Sequence, residues 1–208
     1  MTRFVVYKMK EPFLKRPFDF TLSLIGIIIS FPLWILIGLL IWLEDRGPIF
    51  YSQYRVGKDG KIFKAIKFRS MIKDAEKQTG AVWAKEDDPR ITKIGRILRA
   101  TAMDELPQLL SILKGDMSFV GPRPERPELV TQFNGGIPNY NFRHVVKPGL
   151  TGIAQIYGKY DTPPQHKLKY DLLYIKKQNF WLDLKLIFLS FLITFQGKWQ
   201  SRKKKLRG

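Results

Sequence analysis

No charged residue stands between Asp19 and Glu44, and residues 20–43 are strongly apolar, interrupted at their middle by Ser30, Phe31 and Pro32. A straight helix rising about 1.5 Å per residue over that run reaches across a hydrocarbon core of roughly 30 Å. Pro32 withholds a backbone donor and clashes with the carbonyl four residues earlier. The pattern therefore predicts a helix-break-helix, with Ser30 placed to bond the freed carbonyl. Past the run, Gly47-Pro48 marks a turn, and residues 49–56 alternate as a strand rich in aromatic and β-branched side chains. Gly57-Lys58-Asp59-Gly60 is a hairpin signal, and residues 62–68 supply the returning strand. A helix is expected over residues 70–78, stopped by the charged stretch 86–90, and another over about 92–99 with Ile91, Ile94, Ile97 and Leu98 as its apolar stripe. Residues 106–113 form a compact apolar helix opened by Pro107 and ended by Gly115. Gly121-Pro122-Arg123-Pro124 is a rigid loop, and residues 129–133 and 164–177 are helical. The last apolar element, residues 180–195, is interrupted by Asp183 and Lys185 and is too short on its uncharged side to cross a bilayer. It reads equally as an interfacial helix, with Trp181 and Trp199 at headgroup depth, or as a core helix.

Charge bears on how the first run sits. Before it come Arg3, Lys8, Lys10, Lys15 and Arg16, and after it Arg46, Arg55, Lys58, Lys61, Lys64 and Lys67. Both flanks thus carry the residues that resist translocation, which favours a re-entrant hairpin over a single-pass anchor with a proline kink. A cleaved signal peptide fits poorly, because Glu44, Asp45 and Arg46 follow the run where small residues should stand. The rest of the 208-residue chain is one domain's worth. A net charge of +18 points to anionic lipid or phosphorylated substrates once the membrane run is taken into account, and the lack of cysteine rules out disulfides and thiolate metal sites. The basic tail Arg202, Lys203, Lys204, Lys205 and Arg207 suits anionic headgroups.

The adjacent pair Asp104-Glu105 is the main candidate for chemistry. Neighbours on a helix diverge by about 100°, so the two carboxylates take different roles: one attacks while the other orients or binds metal. The local alternative is helix capping, since Thr101 and Asp104 have capping-box spacing. The company favours chemistry, because Lys67, Arg69, Arg96, Arg99, Arg123 and Arg126 lie in short segments around the pair. Arg123, between two prolines, is a guanidinium held for phosphate. His144 and His166 are isolated, with no partner spacing for zinc or a nucleophilic triad.

Five motifs then carry a family likeness: Lys15-Arg16-Pro17-Phe18-Asp19, Lys67-Phe68-Arg69-Ser70-Met71, Asp104-Glu105-Leu106-Pro107-Gln108-Leu109, Lys114 through Pro124, and Lys147-Pro148-Gly149-Leu150-Thr151-Gly152. From about Lys15 to Gln196 the chain resembles the bacterial sugar transferases, or monotopic phosphoglycosyl transferases, in a minimal form without the extra transmembrane bundle of larger relatives. The resemblance implies transfer of a sugar 1-phosphate from a nucleotide diphosphate sugar, usually a UDP-sugar, to polyprenyl phosphate, with release of nucleoside monophosphate. It implies magnesium at Asp104 and Glu105, Asp104 as a nucleophile that becomes phosphorylated, Glu105 as its partner, and Lys67, Arg69, Arg99, Arg123 and Lys159 as substrate-binding residues. The implied fold is α+β and mainly helical: a basic interfacial segment (1–19), a re-entrant membrane helix broken at Ser30 and Pro32 (20–43), a cytoplasmic catalytic domain with a β-hairpin and interfacial amphipathic helices (44–196), and a basic tail (197–208). The expected setting is the cytoplasmic face of the inner membrane, among anionic lipids and without nucleic acid, and a homodimer is left open. Two departures stand out: Phe31 separates Ser30 from Pro32, where relatives commonly have Ser next to the proline, and Lys159 stands where they often have arginine, which alone binds phosphate bidentately. The competing reading is a membrane-tethered basic module without activity, which gives no reason for the acidic pair; an inactive family member is a third.

Overall fold

In the computed structural model, residues 11–75, 88–158 and 162–196 are described. The apolar run belongs to one helix, α1 (Lys15–Asp45), 31 residues long, with Pro32 inside it and its most apolar window at a mean hydropathy of 2.7. The expected helix-break-helix is thus a single continuous helix. Ser30 does not reach the carbonyl that Pro32 leaves free: its hydroxyl donates to Gly26 O at 2.6 Å, one turn back, and accepts from Trp34 Nε1 at 3.0 Å. A serine on a helix reaches the carbonyl four residues before itself, which decides the partner.

Both ends of α1 are tied to the same folded body. At its start, the buried Lys15 donates to Asp183 at 2.6 Å and to Val120 O and Tyr174 Oη at 3.0 Å each. Asp19 accepts from Phe119 N at 3.1 Å, and Arg16 donates to Ile112 O and Leu113 O, both at 2.8 Å. So Lys15 and Asp19, expected in a basic interfacial segment, are buried in the body, with Arg16 half-buried beside them. At its end, Glu44 accepts from Lys93 N and Asp45 pairs with Arg69. Between the ties, Gly26 lets Leu109 come close, and Ile37 and Ile41 pack with Phe68 and Leu98. The opposite face stays bare, with Ile28, Ile29, Phe31, Ile35 and Leu39 all exposed.

The hairpin pairs β1 (Phe50–Val56) with β2 (Ile62–Phe68), antiparallel, through a turn in which Asp59 and Gly60 have positive φ. Alternation puts Phe63, Ala65 and Lys67 on one face, and Phe63 and Ala65 pack there with Leu109, Ile112 and Met117. Of the helix expected over residues 70–78, residues 70–75 do not form one, since Met71 bridges Ile91 and Asp74 has φ 60°; residues 76–78 lie outside the described residues. A Cβ on Gly95 would lie 2.0 Å from the Ser70 carbonyl, so α2 (Lys93–Ala100) presses directly on this segment. Thr92 caps α2 by accepting from Gly95 N at 2.9 Å; of its expected stripe, Leu98 and Ile91 are buried but Ile97 is 60% exposed. A 3-10 turn (Met103–Gln108) leads into α3 (Leu109–Lys114), which Gly115 ends at φ 95°.

Two short parallel strands unforeseen from the pattern, β3 (Ser118–Val120) and β4 (Gly149–Thr151), bracket α4 (Pro127–Gly136) and a 3-10 turn (Tyr140–Val145). Helices α5 (Ile153–Tyr157), α6 (Pro164–Lys177) and α7 (Phe180–Phe195) close the body around Val120, Val146, Tyr174 and Leu186. α7 packs one side into the core and leaves the other bare. Asp183 and Leu186 are buried, while Trp181, Phe188, Phe191 and Phe195 on its other side are exposed. Lys159, Trp199 and the basic tail lie outside the described residues. The whole is a mainly helical α+β fold with one long apolar helix.

Candidate active site

Asp104 and Glu105 sit on the 3-10 turn directly after Ala102, which holds φ 54°. The left-handed conformation costs an alanine about 1 kcal/mol, and it turns the chain sharply off α2. Neither acid belongs to a capping box. Thr101 Oγ1 points back along α2 and donates to Ile97 O at 2.8 Å, so the capping alternative is not what the structure shows. Directly across stands Lys67, on the packed face of β2, with Arg123 arriving from the loop after β3.

Three positive charges converge on the two acids. Lys67 Nζ donates to Glu105 Oε1 at 2.5 Å, and Arg123 grips the same carboxylate with both arms, Nη2 to Oε1 at 2.5 Å and Nη1 to Oε2 at 3.3 Å. Burial opposes ionisation of Glu105, but Arg123 and Lys67 outweigh it and hold its carboxyl far below the usual range. The reciprocal effect raises Arg123, chiefly through Glu105, while burial lowers Lys67. Asp104 is different. Only 8% exposed, it is pushed up to about 6 by burial and by the neighbouring Glu105, against the pull of Lys67, Arg99 and Arg123. Among the described residues no donor is hydrogen-bonded to its carboxylate. Adjacent acids thus have opposite states: one neutralised by two cations, the other buried and left available.

Arg99 supplies a second sign of an absent ligand. Its Nη1 is buried and has no hydrogen-bond partner, and so is Nε2 of Gln108, itself 3% exposed. Buried donors left unpaired cost about 1–3 kcal/mol each and call for an acceptor. For Arg99, whose charge acts on Asp104, an anion entering beside that acid is the acceptor that the surrounding charge favours.

Of the cations foreseen around the pair, Lys67, Arg99 and Arg123 are brought together. Arg69 is not: it is buried against Asp45, and its Nε donates to Pro48 O at 2.5 Å, so it fastens the end of α1. Arg96 is exposed, and Arg126 lies near Glu128 at 3.7 Å. Lys159 is outside the described residues. No group of three or more His, Cys, Asp or Glu gathers as a metal cage among the described residues. Sequence reasoning missed Arg143, 3% exposed, whose Nη2 donates to the Arg123 carbonyl at 2.8 Å. Its partner Asp171 lies 28 positions away, and no local pattern joins them.

Comparison with known proteins identifies a family. The family model described as bacterial sugar transferase matches residues 10–197. A UDP-N-acetylgalactosamine-undecaprenyl-phosphate N-acetylgalactosaminephosphotransferase of Aeromonas hydrophila is 42% identical over 188 residues, covering 89% of this chain and 44% of that protein. The UDP-glucose:undecaprenyl-phosphate glucose-1-phosphate transferase of Klebsiella pneumoniae is 41% identical over 189 residues, 88% of this chain and 40% of its own length. An exopolysaccharide production protein PSS of Rhizobium leguminosarum bv. phaseoli is 40% identical over 186 residues, 84% of this chain and 92% of that protein. The chain spans less than half the length of the first two relatives. With its match running through the long apolar helix, the acidic pair and the helices that close the body, the chain belongs to the bacterial sugar transferase family.

Proposed function

We propose that the protein transfers a sugar 1-phosphate from a uridine diphosphate sugar to polyprenyl phosphate and releases uridine monophosphate. The observation that carries this reading is the buried, unbonded Asp104 carboxylate beside Lys67, Arg99 and Arg123. Both substrates named for the Aeromonas and Klebsiella relatives are UDP-sugars, and both acceptors are undecaprenyl phosphate. A carboxylate can approach a diphosphate only where cations already oppose the repulsion, as these three do.

In the first step an Asp104 oxygen attacks the phosphorus that bears the sugar. The bond from that phosphorus to the oxygen bridging it to the second phosphate breaks, and that oxygen leaves with uridine monophosphate. In the second, an oxygen of the lipid phosphate attacks the same phosphorus, and the Asp104 carboxylate departs restored. Arg99 and Arg123 bind the phosphates, and Lys67 holds Glu105 in place. The unbonded Asp104 carboxylate with a second acid beside it fits magnesium, which keeps its waters and takes one or two carboxylates plus substrate phosphates. Asp104 and Glu105 would hold it, and when bound it would screen the diphosphate charge.

The membrane setting follows from α1. Its ends would be about 45 Å apart in a straight helix, yet both are fastened to one body, which supports a helix that enters and leaves by one face, the cytoplasmic side of the inner membrane. The bare apolar face of α1 then lies in lipid, where an isoprenoid acceptor is delivered.

Incubation with donor and no acceptor tests the covalent step. It should release one uridine monophosphate per site and leave a hydroxylamine-sensitive sugar phosphate on the protein, and Asp104→Asn should abolish both. Direct attack by the lipid phosphate in a ternary complex predicts unlabelled protein and intersecting double-reciprocal lines, and that pattern would overturn the assignment.

A further inference from the structure

The loop that carries Arg123 is held at four consecutive carbonyls. Pro122 O accepts from Gly149 N at 2.9 Å, Arg123 O from Arg143 Nη2 at 2.8 Å, Pro124 O from Arg55 Nη1 at 3.0 Å and Glu125 O from Val56 N at 3.0 Å. Backbone crowding adds to this, since a Cβ on Gly149 would lie 2.0 Å from Gly121 N. Pro122 and Pro124 have fixed φ on either side of Arg123. The main chain is therefore held on both sides of Arg123, while the Arg123 side chain itself is 44% exposed and reaches Glu105.

Arg143 is the only side chain bonded to Arg123's own peptide among the described residues, and it is itself fixed on all arms. Its Nε donates to Asp171 at 3.0 Å, its Nη1 to Tyr140 Oη at 2.7 Å, and its guanidinium lies 5.0 Å from the Tyr140 ring centroid. A guanidinium buried to 3% merely to pair with Asp171 would be an expensive way to stabilise the fold, because ion pairs of this kind are often no better than apolar substitutes. The bond to Arg123 O gives it a different purpose.

We propose that Arg143 is a positioning residue: it fixes the Arg123 backbone so that the guanidinium of Arg123 meets the donor's phosphate in one orientation. This rests on the reading of Arg123 as a phosphate ligand given above. Arg143 touches no substrate and acts only through Arg123. A lysine in its place retains the charge facing Asp171 but lacks the planar fork that reaches Asp171, Tyr140 and Arg123 O together.

A double-mutant cycle on the full chain in detergent, with UDP-sugar and polyprenyl phosphate, tests this through uridine monophosphate release. Arg143→Lys should lower kcat/KM for the donor by roughly tenfold or more, since misplacing a group by about 1 Å can cost on the order of 10²-fold. In an Arg123→Ala background the same substitution should change the rate by less than about twofold, because the group it positions is gone. Full multiplicative loss in that background, or unimpaired Arg143→Lys, overturns the proposal. Should Arg143→Lys melt early, Tyr140→Phe serves in the same cycle, for it keeps the Asp171 pair and releases one arm of the fork. It should show a smaller loss that again vanishes without Arg123, and additivity there overturns the proposal equally. Normal turnover of Arg123→Ala alone would instead remove the phosphate-site reading on which this inference stands.

Discussion

At the scale of single residues, identical neighbours in sequence become unlike in chemistry because of what faces them. Asp104 and Glu105 differ by one methylene, yet two cations hydrogen-bond Glu105 while those around Asp104 act on it only at a distance. His144 shows the same principle away from the site. Burial and the nearby Arg143 push it down to about 4 from an ordinary value of 6.5, and its Nε2 is buried without a partner. The unfolded chain therefore binds a proton that the folded chain refuses between about pH 6.5 and 4. Its contribution is present above that window and is lost as the pH falls through it. Melting temperatures of wild type and His144→Gln, followed from pH 7 to 4, should diverge in this way, with the wild type losing ground on acidification. The carboxyls of Asp104 and Asp171 titrate near 6 in both proteins and so drop out of the difference. A difference that stays flat would show His144 to be solvated. Lys67, Arg99 and Arg123 stand around the acids as proximity in sequence suggested, whereas Arg69, Arg96 and Arg126, singled out on the same ground, do not, because spacing alone does not say which partner a cation finds. The burial of Arg143, Asp171 and Lys15 could not be read from the chain, since a charge looks solvated until the partner that buries it is known. Arg69 looked like Lys67 in sequence and was diverted by Asp45.

Among elements, legibility followed length. The hairpin, α6 and α7 are long enough for their periodicity to declare itself, and they stand within a residue or so of where alternation and apolar spacing place them. β3 and β4 have three residues each and show no alternation, although their pairing sets the Arg123 loop. Residues 70–75 have helical composition but lose to the Met71–Ile91 bridge and the close approach of Gly95. The join of α1 to α7 was equally hidden, and it makes a definite claim. Lys15 and Asp183 are 4% and 5% exposed as side chains, so Lys15→Met should destabilise by about 3–5 kcal/mol by stranding a buried carboxylate. Adding Asp183→Leu should recover most of that loss, because no charge is then left unpaired. Urea melts of the two variants in detergent would decide it. Equal instability of single and double variants would mean that shape, and not charge, governs the joint.

For the molecule as a whole, the ties at both ends of α1 make sidedness a measurable quantity. Cysteines replacing Phe13, 91% exposed before the helix, and Lys61 on the exposed side of the hairpin should react alike with an impermeant maleimide. In inverted vesicles both should label, and in intact cells neither. Labelling from opposite faces would establish a crossing and dismiss the re-entrant reading.

The packing of Gly26 on Leu109 and of Ile37 and Ile41 on Phe68 and Leu98 also decides what can be done with the protein at the bench. A fragment begun after Asp45 would not be the folded body merely freed of a helix. It would be a body with a missing wall: α3 would lose the arginine that satisfies its last carbonyls, α2 would lose the carboxylate at its first amides, and Asp183 would be stranded. Helix and body are one piece of masonry here, so biochemical assay and crystallisation alike must carry the helix along, with an amphiphile to clothe its exposed apolar face.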